Sequence, residues 1–328
     1  MLLAHAKMSV DQDLLASDLP DLPELAGDLV GYFPAALRQR FAAQIASHPL
    51  HREITATVVT NDLVNRAGLT FIPEMRARTG HEAPDIARAY RIVREVFMLP
   101  SLWTEIEALD NKVAASLQYA LLLDIAGIVE HGAAWLLRNG RLDLGREIPR
   151  FGPAVALLAD TVADLLPATE RVLHDERAAR FAAAGIPREP ARRFAGVIFL
   201  ITAFEIGGLA ERAACSIDRA ARAFYGVGAR FAFDDLRDAA RRLPAETAWQ
   251  KRAAETLVDD FYALQTEFAV RVMADADGAA DPVAAWAGAH AGRLRPAESV
   301  GTALHAAAIA PDLAMLVVAA RQLRQALG

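Results

Sequence analysis

The chain has 328 residues, 54% hydrophobic and 23% charged, which suffices for a sizeable core and excludes disorder as its default state. Its 35 Lys and Arg stand against 41 Asp and Glu, for a net charge of −6. Without a basic tract such a chain is a poor nucleic-acid binder, because that affinity comes mainly from neutralising phosphates.

Leu3, Ala6, Val10 and Leu14 recur at helical spacing and predict an amphipathic helix from the first residues. No Ser, Thr, Asp or Asn precedes Leu2 to cap it, so the chain is expected to continue from something longer. MLLAHAKM has too short an apolar part for a signal peptide. Pro20 and Pro23 break the pattern in Ser17–Leu25. Phe33-Pro34 then opens a helix to about Ser47, closed by His48-Pro49. Further helices are predicted over His51–Gly68, Leu69–Thr79 and Ala83–Phe97, then one capped by Ser101 that turns Trp103 and Ile106 inward, then Val113–Asn139. Arg141–Pro153 lacks periodicity and is broken by glycine and proline, so a subdomain boundary is placed there, dividing 1–145 from 146–328.

Past that boundary, helices are expected over about Ala154–Leu165, Ala168–Ala184, Glu189–Ala214, Ile217–Tyr225 and Asp234–Arg242. Glu246–Met273 follows, with Trp249, Ala253, Leu257, Phe261, Leu264, Phe268 and Val272 on one inward stripe. Asp275–Pro282 reads as a loop and Asp312–Leu327 as the last helix. Periodicity without βαβ alternation gives an all-α class: an irregular multi-helix bundle in two subdomains, with no Rossmann domain. Ser299–Pro311 is the longest run free of Asp, Glu, Lys and Arg. It falls short of the roughly 18 residues of a spanning helix, so no membrane segment is expected. A lone cysteine, Cys215, cannot form an internal disulfide; it reads as a small core residue within a helix and fits a cytoplasmic setting.

The helix over His51–Gly68 carries an unusual second half, where Asn61, Asp62, Asn65 and Arg66 crowd together. Asn is a poor helix former, so the cluster needs a reason beyond propensity. It reads either as a buried polar layer, whose members must be paired, or as a surface that docks on another domain. NDLVNRAG (Asn61–Gly68), Tyr32-Phe33-Pro34, HPLHREI (His48–Ile54) and EALDNKV (Glu107–Val113) together resemble the C-terminal helical region of the large bacterial NAD-dependent glutamate dehydrogenases. YGVGARF (Tyr225–Phe231), LVDDFYALQ (Leu257–Gln265) and DLAMLVVAARQLR (Asp312–Arg324) extend the resemblance in order over nearly the whole chain. The resemblance implies one end of a longer, homo-oligomeric enzyme that oxidises L-glutamate to 2-oxoglutarate with NAD. Its catalytic part would lie upstream and hold the cofactor, and the isolated chain would hold none and be inactive.

Other chemistry is weighed against this. Gly226-Val227-Gly228 lacks the third glycine of a dinucleotide turn and follows a helical run, so it reads as a helix C-cap. Asp234-Asp235-Leu236-Arg237-Asp238 is a DDxxD pattern of the kind that holds Mg²⁺ and a diphosphate in helical enzymes, with Asp259, Asp260 and Glu267 imitating a second motif. The alternative reading has Asp234 capping a short helix whose other end carries Arg241 and Arg242. A free-standing helical interaction module is the remaining alternative.

Overall fold

Apolar residues at helical spacing fold as helices along the chain, in a computed structural model that describes residues 2–276, 278–306 and 311–328, with the backbone alone for 301–306. The Ser299–Pro311 run and the Asp275–Pro282 loop therefore lie partly outside the described residues. Among those residues the regular elements are helices and none is a strand, as the all-α class requires. Contacts group the chain into two units, Met1–Ala156 with Ala184–Ile186, and Leu157–Ala183 with Pro187–Gly328.

The first unit begins with α1 (Leu2–Leu15), which buries Val10 and Leu14 and exposes Leu2 and Leu3. Two short 3₁₀ turns, Leu19–Asp21 and Pro23–Leu25, carry the prolines into α2 (Ala26–Tyr32). The helix expected from Phe33 to Ser47 is instead two pieces, α3 (Ala35–Arg40) and α4 (Ala42–Ala46), parted at Phe41, where φ is −124° and ψ is 30°. Ile45 alone is buried along the pair, so little tertiary packing holds them as one rod. Next come α5 (His51–Ala67), ended by Gly68 at φ 94°, and α6 (Phe71–Thr79), ended by left-handed Gly80. Then follow α7 (Ala83–Val96), α8 (Leu99–Glu107) and α9 (Ala115–Asn139). Ser101 lies inside α8 rather than at its cap, because Met98 takes a left-handed conformation and starts the helix earlier.

The centre of this unit is α7. Ile86, Ala87, Tyr90, Ile92, Val93 and Val96 are all buried there, and α1, α5, α6, α8 and α9 pack around them. The stretch expected to be irregular is helical: α10 (Leu144–Leu165) starts where the Asp143 carboxylate accepts the Arg146 amide at 3.2 Å, and it contains Pro149 and Pro153. An interior proline removes a helix hydrogen bond. Packing outweighs that loss, for Phe151 is buried edge-to-face on Trp135 at 5.5 Å between centroids.

In the second unit, α11 (Ala168–Ala183) packs on α12 (Arg188–Gly196). A 3₁₀ stretch, Val197–Thr202, separates α12 from α13 (Ala203–Arg212), where one helix was expected. Cys215 is half-buried in the turn that follows, not within a helix. After α14 (Ile217–Phe231) and α15 (Phe233–Arg241) comes α16 (Ala248–Asp275), opened by a capping box of Thr247 and Gln250. The chain closes with α17 (Pro282–Ala289), α18 (Ala291–Ala306) and α19 (Leu313–Leu327); Asp281 caps α17 and Asp312 caps α19. Phe231, Phe233, Phe261, Phe268 and Trp286 form a connected aromatic core, tightest between Phe231 and Phe268 at 4.6 Å.

Three expectations in this unit are corrected. Gly226 and Gly228 lie inside α14 instead of capping it. A Cβ on Gly226 would stand 3.1 Å from Val283, and one on Gly228 would stand 2.7 Å from the Gln265 amide, so both glycines admit neighbouring helices. The left-handed cap is Ala232, with φ 54°, which also precedes α15 and leaves Asp234 inside that helix. Trp249 is 77% exposed, because the inward stripe of α16 begins only at Leu257.

Among the described residues two stretches, Ala115–Asn139 and Arg188–Arg212, are long and apolar enough to cross a membrane by length and composition. A charge-free run is a stricter criterion than a mostly apolar window and passes over both. Of these windows, 56% and 72% are buried within the protein.

Candidate functional site

Successive helical positions point about 100° apart, so the four polar residues of α5 diverge. Asn61 accepts a hydrogen bond from Lys7 Nζ at 2.7 Å, on the side of α1. Arg66 pairs with Glu107 and lies 4.7 Å over the Trp103 ring, on the side of α8. Asn65 is exposed. Asp62 turns to α7, where it accepts the Tyr90 hydroxyl at 2.9 Å and faces Arg94 Nε at 2.9 Å.

Asp62 thereby joins a charge cluster that periodicity did not reveal. At its centre Arg91 is only 4% exposed, with Nη2 2.9 Å from Asp28 of α2 and 3.3 Å from Glu95. Arg94 also pairs with Glu95. Burial pushes the Asp28 carboxyl above its usual range, against the pull of Arg91 and Arg94. Burial first, and the charge of Asp62 second, raise the Tyr90 phenol so that it keeps its proton and donates. The Asp28 oxygen nearest Arg91 and the Arg91 Nε and Nη1 make no aligned hydrogen bond. The cluster is thus held by charge more than by hydrogen-bond geometry. It ties α2, α5 and α7 together and contains no nucleophile poised beside a base. The signal in sequence was Arg91, set between the apolar neighbours Ala89-Tyr90 and Ile92-Val93 of α7.

A second polar knot lies under the DDxxD pattern. Arg237, 2% exposed, reaches Gln265 Oε1 and Asp234 Oδ1 at 2.6 Å each and stacks on Tyr262 at 4.2 Å. Gln265 in turn donates to the Phe224 carbonyl at 2.9 Å. Three further carboxylates are also taken by arginines: Asp238 of the pattern by Arg241, and Asp260 and Glu267 of the second cluster by Arg324 and Arg212. Among the described residues no group of three His, Cys, Asp or Glu side chains can hold a metal ion. A Mg²⁺–diphosphate site therefore does not form here: the acids are distributed over ion pairs instead of converging on one cavity.

The third feature is an open groove of about 590 Å³ along α16 and α19. Its apolar lining includes Ala253, Leu257, Val317 and Ala320, and Trp249 stands at one end. Neither this groove nor the interior of α14 offers what a dinucleotide needs, a glycine turn that aims helix-start amides at a pyrophosphate.

The sequence matches the protein family described as "Glutamate dehydrogenase, C-terminal" over residues 1–325. It is 34% identical to an NAD-specific glutamate dehydrogenase of Halomonas elongata over 89% of this chain and 18% of that protein. Corresponding enzymes of Pseudomonas aeruginosa and Mycobacterium tuberculosis are 33% and 31% identical, over 98% and 99% of this chain and 20% of each relative. The chain thus spans about a fifth of the length of the relatives it matches.

Proposed function

The chain belongs to the glutamate dehydrogenase C-terminal family, and on that premise we propose that it is the bracing region of an NAD-specific glutamate dehydrogenase. The carrying observation is the match of nearly the whole chain to a fifth of each relative. The reaction of the full enzyme is L-glutamate, NAD and water to 2-oxoglutarate, ammonia and NADH. The residues present do not fit a nicotinamide cofactor, so its binding and the chemistry belong to the catalytic part outside residues 1–328. This region contributes rigid packed units that steady that part and the contacts of a cytosolic homo-oligomer. The test compares the full enzyme with a version lacking the stretch equivalent to 1–328. Glutamate-dependent NAD reduction and native mass are both expected to fall, and unchanged values for both would overturn the proposal.

A further inference from the structure

We infer that the α16–α19 groove is the docking site for an acidic amphipathic helix from the part of the enzyme outside residues 1–328, an inference that rests on the bracing role proposed above. Trp249, Ala253, Thr256 and Asp260 recur at spacings of one helical turn and form one edge of the groove; Val317, Arg321 and Arg324 do the same on the other. From Trp249 to Asp260 the edge runs roughly 16 Å at 1.5 Å per residue, about three turns, the length over which a helix laid in a groove presents its anchors. Trp249 is 77% and Val317 52% exposed, so the aromatic at the groove's end is not used by the unit's own core.

Charge identifies the occupant. The charged side chains lining the groove are Arg252, Arg321, Arg324 and a single acid, Asp260, which Arg324 already holds at 3.1 Å. Arg252 sits 5.8 Å from the Trp249 ring, and neither it nor Arg321 faces a second acid within the groove. A second copy of this surface would bring like charges together. A bilayer surface is not shaped to fill a concave valley. A helix with an apolar stripe flanked by Asp and Glu satisfies both features: it covers Trp249 and Val317 and supplies carboxylates to Arg252 and Arg321. Four-fifths of each relative lies outside the matched stretch, and a segment on the same polypeptide acts at high effective concentration, so modest intrinsic affinity suffices.

The test places p-benzoylphenylalanine in place of Thr256 in the full enzyme and maps the photo-cross-link by mass spectrometry. The expected product is a peptide of the same polypeptide outside residues 1–328, with acids flanking apolar residues at helical spacing. Its yield should drop several-fold in the Arg252→Glu, Arg321→Glu double variant and persist in the Arg252→Lys, Arg321→Lys control, with helicity unchanged in both. Cross-links to residues 1–328 of another copy, to a separate protein or to lipid, or no cross-link, overturn the inference, as does a yield indifferent to charge reversal. The two ideas fail separately. Loss of activity on truncation without the cross-link sinks docking alone, whereas the cross-link in an enzyme indifferent to truncation sinks the bracing role.

Discussion

Asp62 and Asn65 are near neighbours in α5, yet the structure gives them opposite surroundings, and the difference is measurable. Asp62 satisfies Tyr90 and faces Arg94, so Asp62→Ala leaves a phenol and a half-buried cation short of a partner and should cost about 1–3 kcal/mol. Asn65 is exposed, and Asn65→Leu should stay within about 0.5 kcal/mol of the wild type. Urea melts of the two variants check this, and a large loss from Asn65→Leu would contradict its placement. Asp28 adds a pH signature. Its folded carboxyl holds a proton to higher pH than the unfolded one, so the stability it contributes is fully present below the unfolded value and is lost as pH rises through the folded one. Asp28→Asn removes this titration. The advantage of wild type over the variant should therefore shrink as pH rises above the ordinary carboxylate range, and a gap that widens with pH would refute the direction. At this scale the sequence showed that α5 was polar but not toward what. Which neighbours Asp62 meets depends on α2 and α7, and no local pattern encodes their approach.

Helix existence was legible almost everywhere, since apolar spacing is a local property; helix ends were less so, since glycine has more than one use. In α14 the glycines mark close helix contacts, and Ala232 takes the left-handed cap that glycine usually fills. Two substitutions separate these uses. Gly228→Ala would gain helix propensity, but its Cβ would meet a Gln265 amide fixed by Arg237 and the Phe224 carbonyl. Overpacking of about 1–3 kcal/mol then exceeds a gain of about 1 kcal/mol, and the variant should be less stable. Gly288→Ala in α17 meets nothing within 4 Å and should be stabilising by up to about 1 kcal/mol. Ala232→Gly should also stabilise, by about 1 kcal/mol, by relieving the Cβ clash of left-handed backbone at φ 54°. Thermal melts of the three variants test the assignment, and a stabilised Gly228→Ala would mean that the glycine is not needed for packing. The segment over α17 and α18 was not resolved into helices from sequence at all. It is rich in alanine and glycine, and Pro296 lies within α18, so its periodic signal is weak.

For the molecule as a whole, composition and periodicity lead to a helical protein and no further; the ordered series of motifs from Tyr32 to Arg324 leads to the family. The physical reason is that the bracing role proposed for this region has no compact chemical signature. A catalytic centre concentrates acids, bases or glycine turns in a few positions, whereas here Asp234 and Asp238 of the DDxxD pattern are spent on ion pairs, and Gly226 and Gly228 on helix packing. The proposed separation of support from chemistry predicts the behaviour of the chain by itself. NAD recognition requires amides at a helix start, reached through a glycine turn, to hold the pyrophosphate. Here Gly226 and Gly228 lie in mid-helix, their amides are directed along the helix axis, and the space over them is filled by Val283 and Gln265. Calorimetric titration of NAD into residues 1–328 should show no one-to-one binding in the micromolar range, and glutamate should not be oxidised. A clear stoichiometric heat would locate a cofactor site within these two helical units and would overturn the assignment of the chemistry to the rest of the enzyme.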